Sequence, residues 1–215
     1  HGQRLRLPNL VDDVSYQHAI SKRKDTYELR LKYGIPAKKR VFFCPARLLK
    51  LKGLDLFLKS AGKVKGISKA CFLLAGEGPM KKELQDIADK ENLDVHFMGY
   101  CNQDTVIEFY ALSDFFFLPS LQDCNPLSAI EAAFAGLPLC VSIYTGNSPE
   151  LIQPYKNGVV FDILDTEEVQ ACIYFLLNAS EEWVSNAGRE SLAIAQNSFA
   201  CINETKKFLA QLREG

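Results

Sequence analysis

Six short apolar runs, each followed by a stretch of helical periodicity, constrain this sequence more than any other feature. They are Val41 to Pro45, Cys71 to Ala75, Val95 to Gly99, Phe115 to Leu118, Leu139 to Ile143 and Val159 to Phe161. Runs with so little polar alternation fit strands buried on both faces, the condition of a parallel sheet. The stretches between them read as helices. Gly53 to Lys65 sets Leu54, Phe57, Leu58, Ala61 and Val64 on one face, and a helix beginning at Pro79 carries Met80, Leu84, Ile87 and Ala88. Asp104 to Leu112 turns Val106, Ile107, Tyr110 and Ala111 inward, and Asp165 with Glu168 opens a helix that buries Val169, Cys172, Ile173, Leu176 and Leu177. Strand, helix, strand, repeated with short connections, predicts an α/β fold: a Rossmann-like parallel sheet with helices on both faces.

No repeat or low-complexity linker interrupts the pattern. Residues 1–40 read as a lead-in, in which Thr26 to Tyr33 forms a helix ended by Gly34 and Pro36. Residues 41–180 read as the core, and residues 181–215 as two amphipathic helices on the same domain, with Trp183, Ala187, Ile194, Ile202, Phe208 and Leu209 serving packing. At 215 residues, 47% hydrophobic, 24% charged and a net charge of −1, the chain is of an ordinary globular kind, large enough for a well-buried core. It begins at His1, as an excised or processed piece would, and shows neither a secretory leader pattern nor an apolar run near the ~20 residues that cross a bilayer.

Seven cysteines without a C-x-x-C pair, three of them (Cys44, Cys71 and Cys140) inside apolar runs, read as reduced core residues of a cytoplasmic protein, neither disulfides nor zinc ligands. The basic clusters Lys22-Arg23-Lys24 and Lys38-Lys39-Arg40 read as solvated surface. No basic stripe interleaved with aromatics points to nucleic acid, although a basic face is compatible with peripheral contact at the inner side of an anionic membrane.

The chemistry gathers around Phe115 to Glu131. The strand ends at Pro119-Ser120, a loop carries Asp123, and a helix opens with Asn125 as cap and Pro126 as first helical residue, with Leu127, Ile130 and Phe134 at helical spacing. The free N–H groups of Leu127, Ser128 and Ala129 would form an anion site at the strand's carboxyl end. Glu131, set among Ala129, Ile130, Ala132, Ala133 and Phe134, needs hydrogen-bond donors, which a ribose diol would supply. Arg47 and Lys52 lie in the loop after the first strand, where ligands bind in open α/β sheets. His96, in a strand, reads as a packed or surface histidine and not as a general base.

Taken in order, Pro119-Ser120, Asp123, Asn125-Pro126-Leu127, Glu131-Ala132 and the A-x-A-G-L-P of Ala133 to Pro138 resemble the donor-binding, C-terminal half of retaining GT-B glycosyltransferases, the large family 4 of sequence classification. Asp123 and Glu131 match the spacing of that family's Glu-x7-Glu motif. Aspartate replaces the first glutamate, and Cys124-Asn125-Pro126 replaces the usual Gly-Phe-Gly. LPNLVDD (Leu7 to Asp13) and LRLKYGIP (Leu29 to Pro36) are similar to the stretches through which members enter this domain.

The resemblance implies several roles. Arg47 and Lys52 would contact the donor diphosphate, and Gly76 and Gly78, as the family's G-x-G-P turn, would let the backbone approach the nucleotide. The segment Gly99 to Asn102, including Cys101, would border the base. Glu131 would hold the ribose hydroxyls, while Asp123 and the backbone of Cys124, Asn125, Pro126 and Leu127 would orient the sugar, beside Ser128 and Gly146. Arg47, Lys52, Asp123 and Glu131 form the implied catalytic set, with a nucleoside-diphosphate sugar as co-substrate. No metal cofactor is expected, because no DxD-like pair or histidine cluster stands at a strand end. Acceptor binding would fall to a separate N-terminal domain, in an enzyme of the kind that serves polysaccharide biosynthesis. Three rivals remain open at this point: a nucleotide-sugar-binding module without transfer, another GT-B enzyme such as an epimerase or inverting transferase, and a flavodoxin-like signalling domain.

Overall fold

The computed structural model describes residues 10–214, so the first part of LPNLVDD, through Asn9, lies outside the described residues. Six strands form one sheet: β1 (Arg40–Pro45), β2 (Ala70–Ala75), β3 (Val95–Gly99), β4 (Phe115–Leu118), β5 (Leu139–Ser142) and β6 (Gly158–Phe161). Their order is β3-β2-β1-β4-β5-β6, with every neighbouring pair parallel. The described helices are α1 (Asp13–Lys22), α2 (Thr26–Lys32), α3 (Leu54–Ala61), α4 (Lys81–Lys90), α5 (Gln103–Leu112), α6 (Leu127–Phe134), α7 (Ser148–Leu151), α8 (Thr166–Leu177), α9 (Glu181–Ser198) and α10 (Cys201–Glu214).

Strand β1 shows why its sequence has no polar alternation. Successive side chains of a strand point to opposite faces. Phe42 packs against Phe72 and Phe115, with ring centroids at 5.4 and 4.9 Å, on the face where Phe57 of α3 stacks on Phe117 at 4.7 Å. Its neighbour Phe43 turns the other way, onto Phe109 and Tyr110 of α5. Both faces are dry, and burying each such ring contributes about 1.5–3 kcal/mol. Helix α3, with α4 and α8, covers one face, whereas α5 and α6, with α1, α2 and α9, cover the other. The winding reverses between β1 and β4. Their carboxyl ends therefore open a crevice, the usual ligand position in such sheets.

Several local expectations need correction. The lead-in holds a helix that periodicity did not reveal: α1 is capped by Asp12, which accepts the Ser15 N–H, and it packs on α5 and α6. Three of the basic residues are not solvated surface. Arg23 donates to the carbonyls of Ala135 and Gly136 at the end of α6, Lys39 pairs with Asp94 at 2.9 Å, and Arg40 pairs with Glu181 at 2.9 Å. A helix end presents unpaired carbonyls and negative dipole charge, which explains the place of Arg23.

Helix α6 begins one residue later than the capping pattern predicts. Pro126 occupies the cap position, and Asn125 accepts a hydrogen bond from Asn147 instead of capping the helix. Helix α3 ends at Ala61, and Val64 is buried in the turn beyond it. Asp165 does cap α8, but Glu168 accepts the N–H of Asp162, so no reciprocal box forms. Trp183 packs on Phe175 and Ala187 is buried, while Ile202 and Leu209 of α10 stand 64% and 48% exposed, outside the core. Leu127 is likewise exposed on α6. All seven cysteines are free, and burial pushes the Cys44 and Cys71 thiols up to about 12, which leaves them unreactive.

Candidate functional site

At the carboxyl edge of the sheet, four loops are tied to one another by backbone contacts. The β1 loop joins the β2 loop through Ala46 N–H to Ala75 O at 3.0 Å and Leu48 N–H to Glu77 O at 2.9 Å. It joins the β4 loop through Leu121 N–H to Leu51 O at 2.8 Å. The β4 and β5 loops exchange Asp123 N–H to Tyr144 O at 3.2 Å and Gly146 N–H to Asp123 O at 2.8 Å. The glycines make these approaches possible. A Cβ on Gly76 would lie 2.1 Å from Ala46 O, one on Gly78 2.3 Å from Leu48 O, and one on Gly146 2.1 Å from Cys124 O. Gly76 and Gly78 thus bring backbone against the neighbouring loop. Gly53, at φ 63°, does the same against Pro119 O.

Onto this frame the predicted side chains fall in three groups. Lys52 and Asp123 meet, Nζ to Oδ2 at 2.5 Å, both mostly shielded from water. Arg47 is exposed on the same β1 loop and Cys124 on the same β4 loop, while Asn125 is held by Asn147, which also donates to Pro126 O. Leu127 and Ser128 have no acceptor for their N–H groups among the described hydrogen bonds, whereas the Ala129 N–H is taken by Pro126 O at 3.3 Å. The anion site therefore has two free donors instead of three. Cys101 follows β3 at the same edge of the sheet, with its thiol against the carbonyls of Met98 and Gly99. Three strand spacings, about 14 Å, separate β3 from β4, and no described contact joins Cys101 to Lys52 or Asp123.

Glu131 stands apart from the ion pair. Its Oε2 accepts the Tyr110 hydroxyl at 3.1 Å. Burial pushes its carboxyl above the usual carboxylate range, and hydrogen bonding from Tyr16 and Tyr110 opposes that shift. The donors that this buried carboxylate requires are thus supplied by the protein itself. Tyr110 was legible only as an inward core residue and Tyr16 carried no signal, since it lies in the lead-in.

Other polar atoms at this edge also matter. Ser120 Oγ, Thr145 Oγ1 and Asn147 Oδ1 are buried without hydrogen-bond partners, all in the β4 and β5 loops. Such groups cost about 1–3 kcal/mol each when they stay without a partner. Hollows elsewhere, such as one of 370 Å³ beside Glu150 and Lys207 and one of 420 Å³ beside Arg30 and Lys38, are lined by none of the predicted side chains.

Among the described residues, one set has metal-type donors close together, Cys71, Asp94 and His96, within 4.8 Å. It lies at the opposite, amino end of the strands. Asp94 there is already engaged by Lys39 and by His96 Nε2, at 2.9 and 3.0 Å, which makes His96 a half-buried packed histidine, as expected.

The parallel doubly wound sheet and this rim define one half of a GT-B glycosyltransferase fold. Residues 25–190 match the family model described as glycosyl transferases group 1, and the chain belongs to that family. It is 26% identical over 183 residues to N-acetyl-alpha-D-glucosaminyl L-malate synthase of Bacillus anthracis, covering 85% of this chain and 46% of that protein. It is 31% identical over 195 residues to sulfoquinovosyl transferase SQD2 of Arabidopsis thaliana, covering 88% and 36%. The chain thus spans less than half the length of these relatives. Among solved structures, Anabaena Alr3699/HepE in complex with UDP and glucose superposes with a TM-score of 0.83 at 19% identity, covering 97% of this chain and 56% of that one. Among the described residues, no helix is long and apolar enough to cross a membrane.

Proposed function

We propose that this chain is the donor-binding half of a retaining glycosyltransferase that moves a sugar from a nucleoside-diphosphate sugar to an acceptor held by a separate N-terminal domain. The observation that carries the reading is the meeting of Lys52 and Asp123 at the crevice where the sheet order reverses. Several names support it, since the matched relatives are named as transferases and synthases, and the Anabaena structure holds UDP and glucose.

Cleaving the bond between sugar and diphosphate leaves negative charge on the departing phosphates while the anomeric carbon gains oxocarbenium character. Arg47, Lys52 and the open N–H groups at the start of α6 supply the positive potential, without a metal. On diphosphate binding Lys52 exchanges part of its pairing with Asp123 for phosphate oxygens, which frees the carboxylate to accept sugar hydroxyls. Glu131 takes the ribose hydroxyls. The departing phosphate assists deprotonation of the acceptor on the same face, which gives retention. Without the other domain the chain binds donor and turns over little, and its setting is cytoplasmic, with peripheral contact at an anionic membrane.

Calorimetric titration with UDP, GDP, ADP and CMP tests the reading. One of them should bind, with Arg47→Ala and Glu131→Ala each weakening it about tenfold, the loss of one hydrogen bond to a charged group. Unchanged affinity in both variants removes the assignment. The departure at Asp123-Cys124-Asn125-Pro126, with Asn125 pinned by Asn147, favours the rival of a binding module. Release of nucleotide by the intact protein on addition of acceptors separates transfer from mere binding.

A further inference from the structure

An asparagine cap followed by proline at the first helical position is a favoured helix entry, yet α6 does not use the Asn125-Pro126 pair in that way. Pro126 stands at the cap position with an extended backbone (φ −67°, ψ 119°), and no side chain caps the first turn. The Asn125 carboxamide is engaged elsewhere. Its Oδ1 accepts from Asn147 Nδ2 at 2.9 Å, and the same Nδ2 donates to Pro126 O at 3.1 Å. Asn147 is 4% exposed and is itself held fast: its carbonyl accepts the N–H groups of Glu150 and Leu151, and the N–H of Gly146 beside it reaches Asp123 O at 2.8 Å. A cap side chain takes the N–H of the second or third helical residue. With Asn125 as cap and Pro126 as first residue, those would be Leu127 and Ser128, the two N–H groups left without an acceptor among the described hydrogen bonds. The favoured cap and the open anion site therefore exclude each other.

We propose that Asn147 is a positioning residue of the diphosphate site: by holding Asn125 off the end of α6, it keeps the Leu127 and Ser128 N–H groups free for phosphate oxygens. The inference rests on the reading of the start of α6 as a diphosphate contact. Asn147 does not touch the nucleotide and acts only through Asn125 and Pro126. The two hydrogens of its amide nitrogen serve both acceptors, so one side chain withholds the cap and also anchors the backbone at the point where the helix would have to wind one residue further. Without Asn147, the Asn125 carboxamide competes with phosphate for the same two donors.

The test compares Asn147→Ala, Asn125→Ala, the double variant, Arg47→Ala and Glu131→Ala, each titrated with UDP, GDP and inorganic pyrophosphate, with amide hydrogen exchange at Leu127 and Ser128 followed by NMR. Asn147→Ala should weaken nucleotide binding about tenfold, the fold-change of one hydrogen bond to a charged group. In the ligand-free chain it should slow exchange at Leu127 or Ser128 about fivefold, the factor that a cap is worth. A residue that merely supported the fold would speed exchange there instead. Alanine cannot cap, so in the Asn125→Ala background the loss of Asn147 should change affinity less than about twofold and leave both amides unslowed. Asn147→Ser, whose single hydroxyl proton serves only one of the two acceptors, takes the place of Asn147→Ala should that variant not fold, with the same expected directions. Unslowed exchange at both amides, an equal loss of affinity in both backgrounds, or parental affinity while Arg47→Ala still weakens binding overturns the inference and leaves the site reading intact. If Arg47→Ala and Glu131→Ala are both without effect, the site reading fails and the inference with it, even where exchange shows the cap withheld.

Discussion

Glu131 illustrates how a single side chain can trade stability for binding. Its folded carboxyl lies above the ordinary range, chiefly through desolvation. A group raised in this way contributes stability that is fully present below the unfolded carboxylate pKa, about 4.3, and lost as pH rises through the folded value. Glu131→Gln should therefore stabilise the ligand-free chain at pH 7 by about 0.5–2 kcal/mol, in the range typical of relieving a functional compromise, with the gain disappearing near pH 4. Thermal melts at the two pH values check this, and the same variant should bind nucleotide less tightly. The sequence showed that this acid sits among apolar neighbours and needs donors. It did not show which donors, because Tyr16 and Tyr110 are brought there by packing of α1 and α5, and long-range packing leaves no local periodicity.

Among the elements, strands and most helices were legible because their burial is periodic and local. The loops were not, since what shapes them is a backbone several strands away in sequence. Gly76, Gly78 and Gly146 each accommodate the carbonyl of an adjacent loop, a contact that no local pattern announces. Gly146→Ala should destabilise by about 1–3 kcal/mol, the usual cost of overpacking, and also weaken nucleotide binding, because Gly146 N–H fixes Asp123 O. Gly34→Ala is the comparison. Nothing lies within 4 Å of its added Cβ, so only the strain of φ 67° remains, roughly 1–2 kcal/mol, with nucleotide affinity untouched. Urea unfolding and titration calorimetry of both variants separate the two effects. The one-residue shift at Pro126 has a similar origin, with Asn125 drawn away from capping by Asn147 across the rim.

For the molecule as a unit, the lead-in proves to be a strap across one face. Buried Arg30 of α2 donates to the carbonyls of Leu112, Ala37 and Lys39 and to Asp114 at 2.9 Å, while Asp114 also accepts the N–H of Val41 at the start of β1. Arg30→Met should cost about 3–5 kcal/mol, the range for removing one partner of a buried pair, detectable as a lowered urea midpoint. Composition and periodicity revealed the parallel sheet but not this strap, whose arginine has no apolar pattern around it. Because all six strands run the same way, the chain has two latitudes of different character. Its northern rim carries the loops proposed here to take the donor, and its southern rim carries the Arg30 and Lys39 pairs, which tie the lead-in and β1 to Asp114 and Asp94. Side chains that point out of the northern loops can therefore vary at little cost to folding, whereas the glycines that lock those loops to one another cannot.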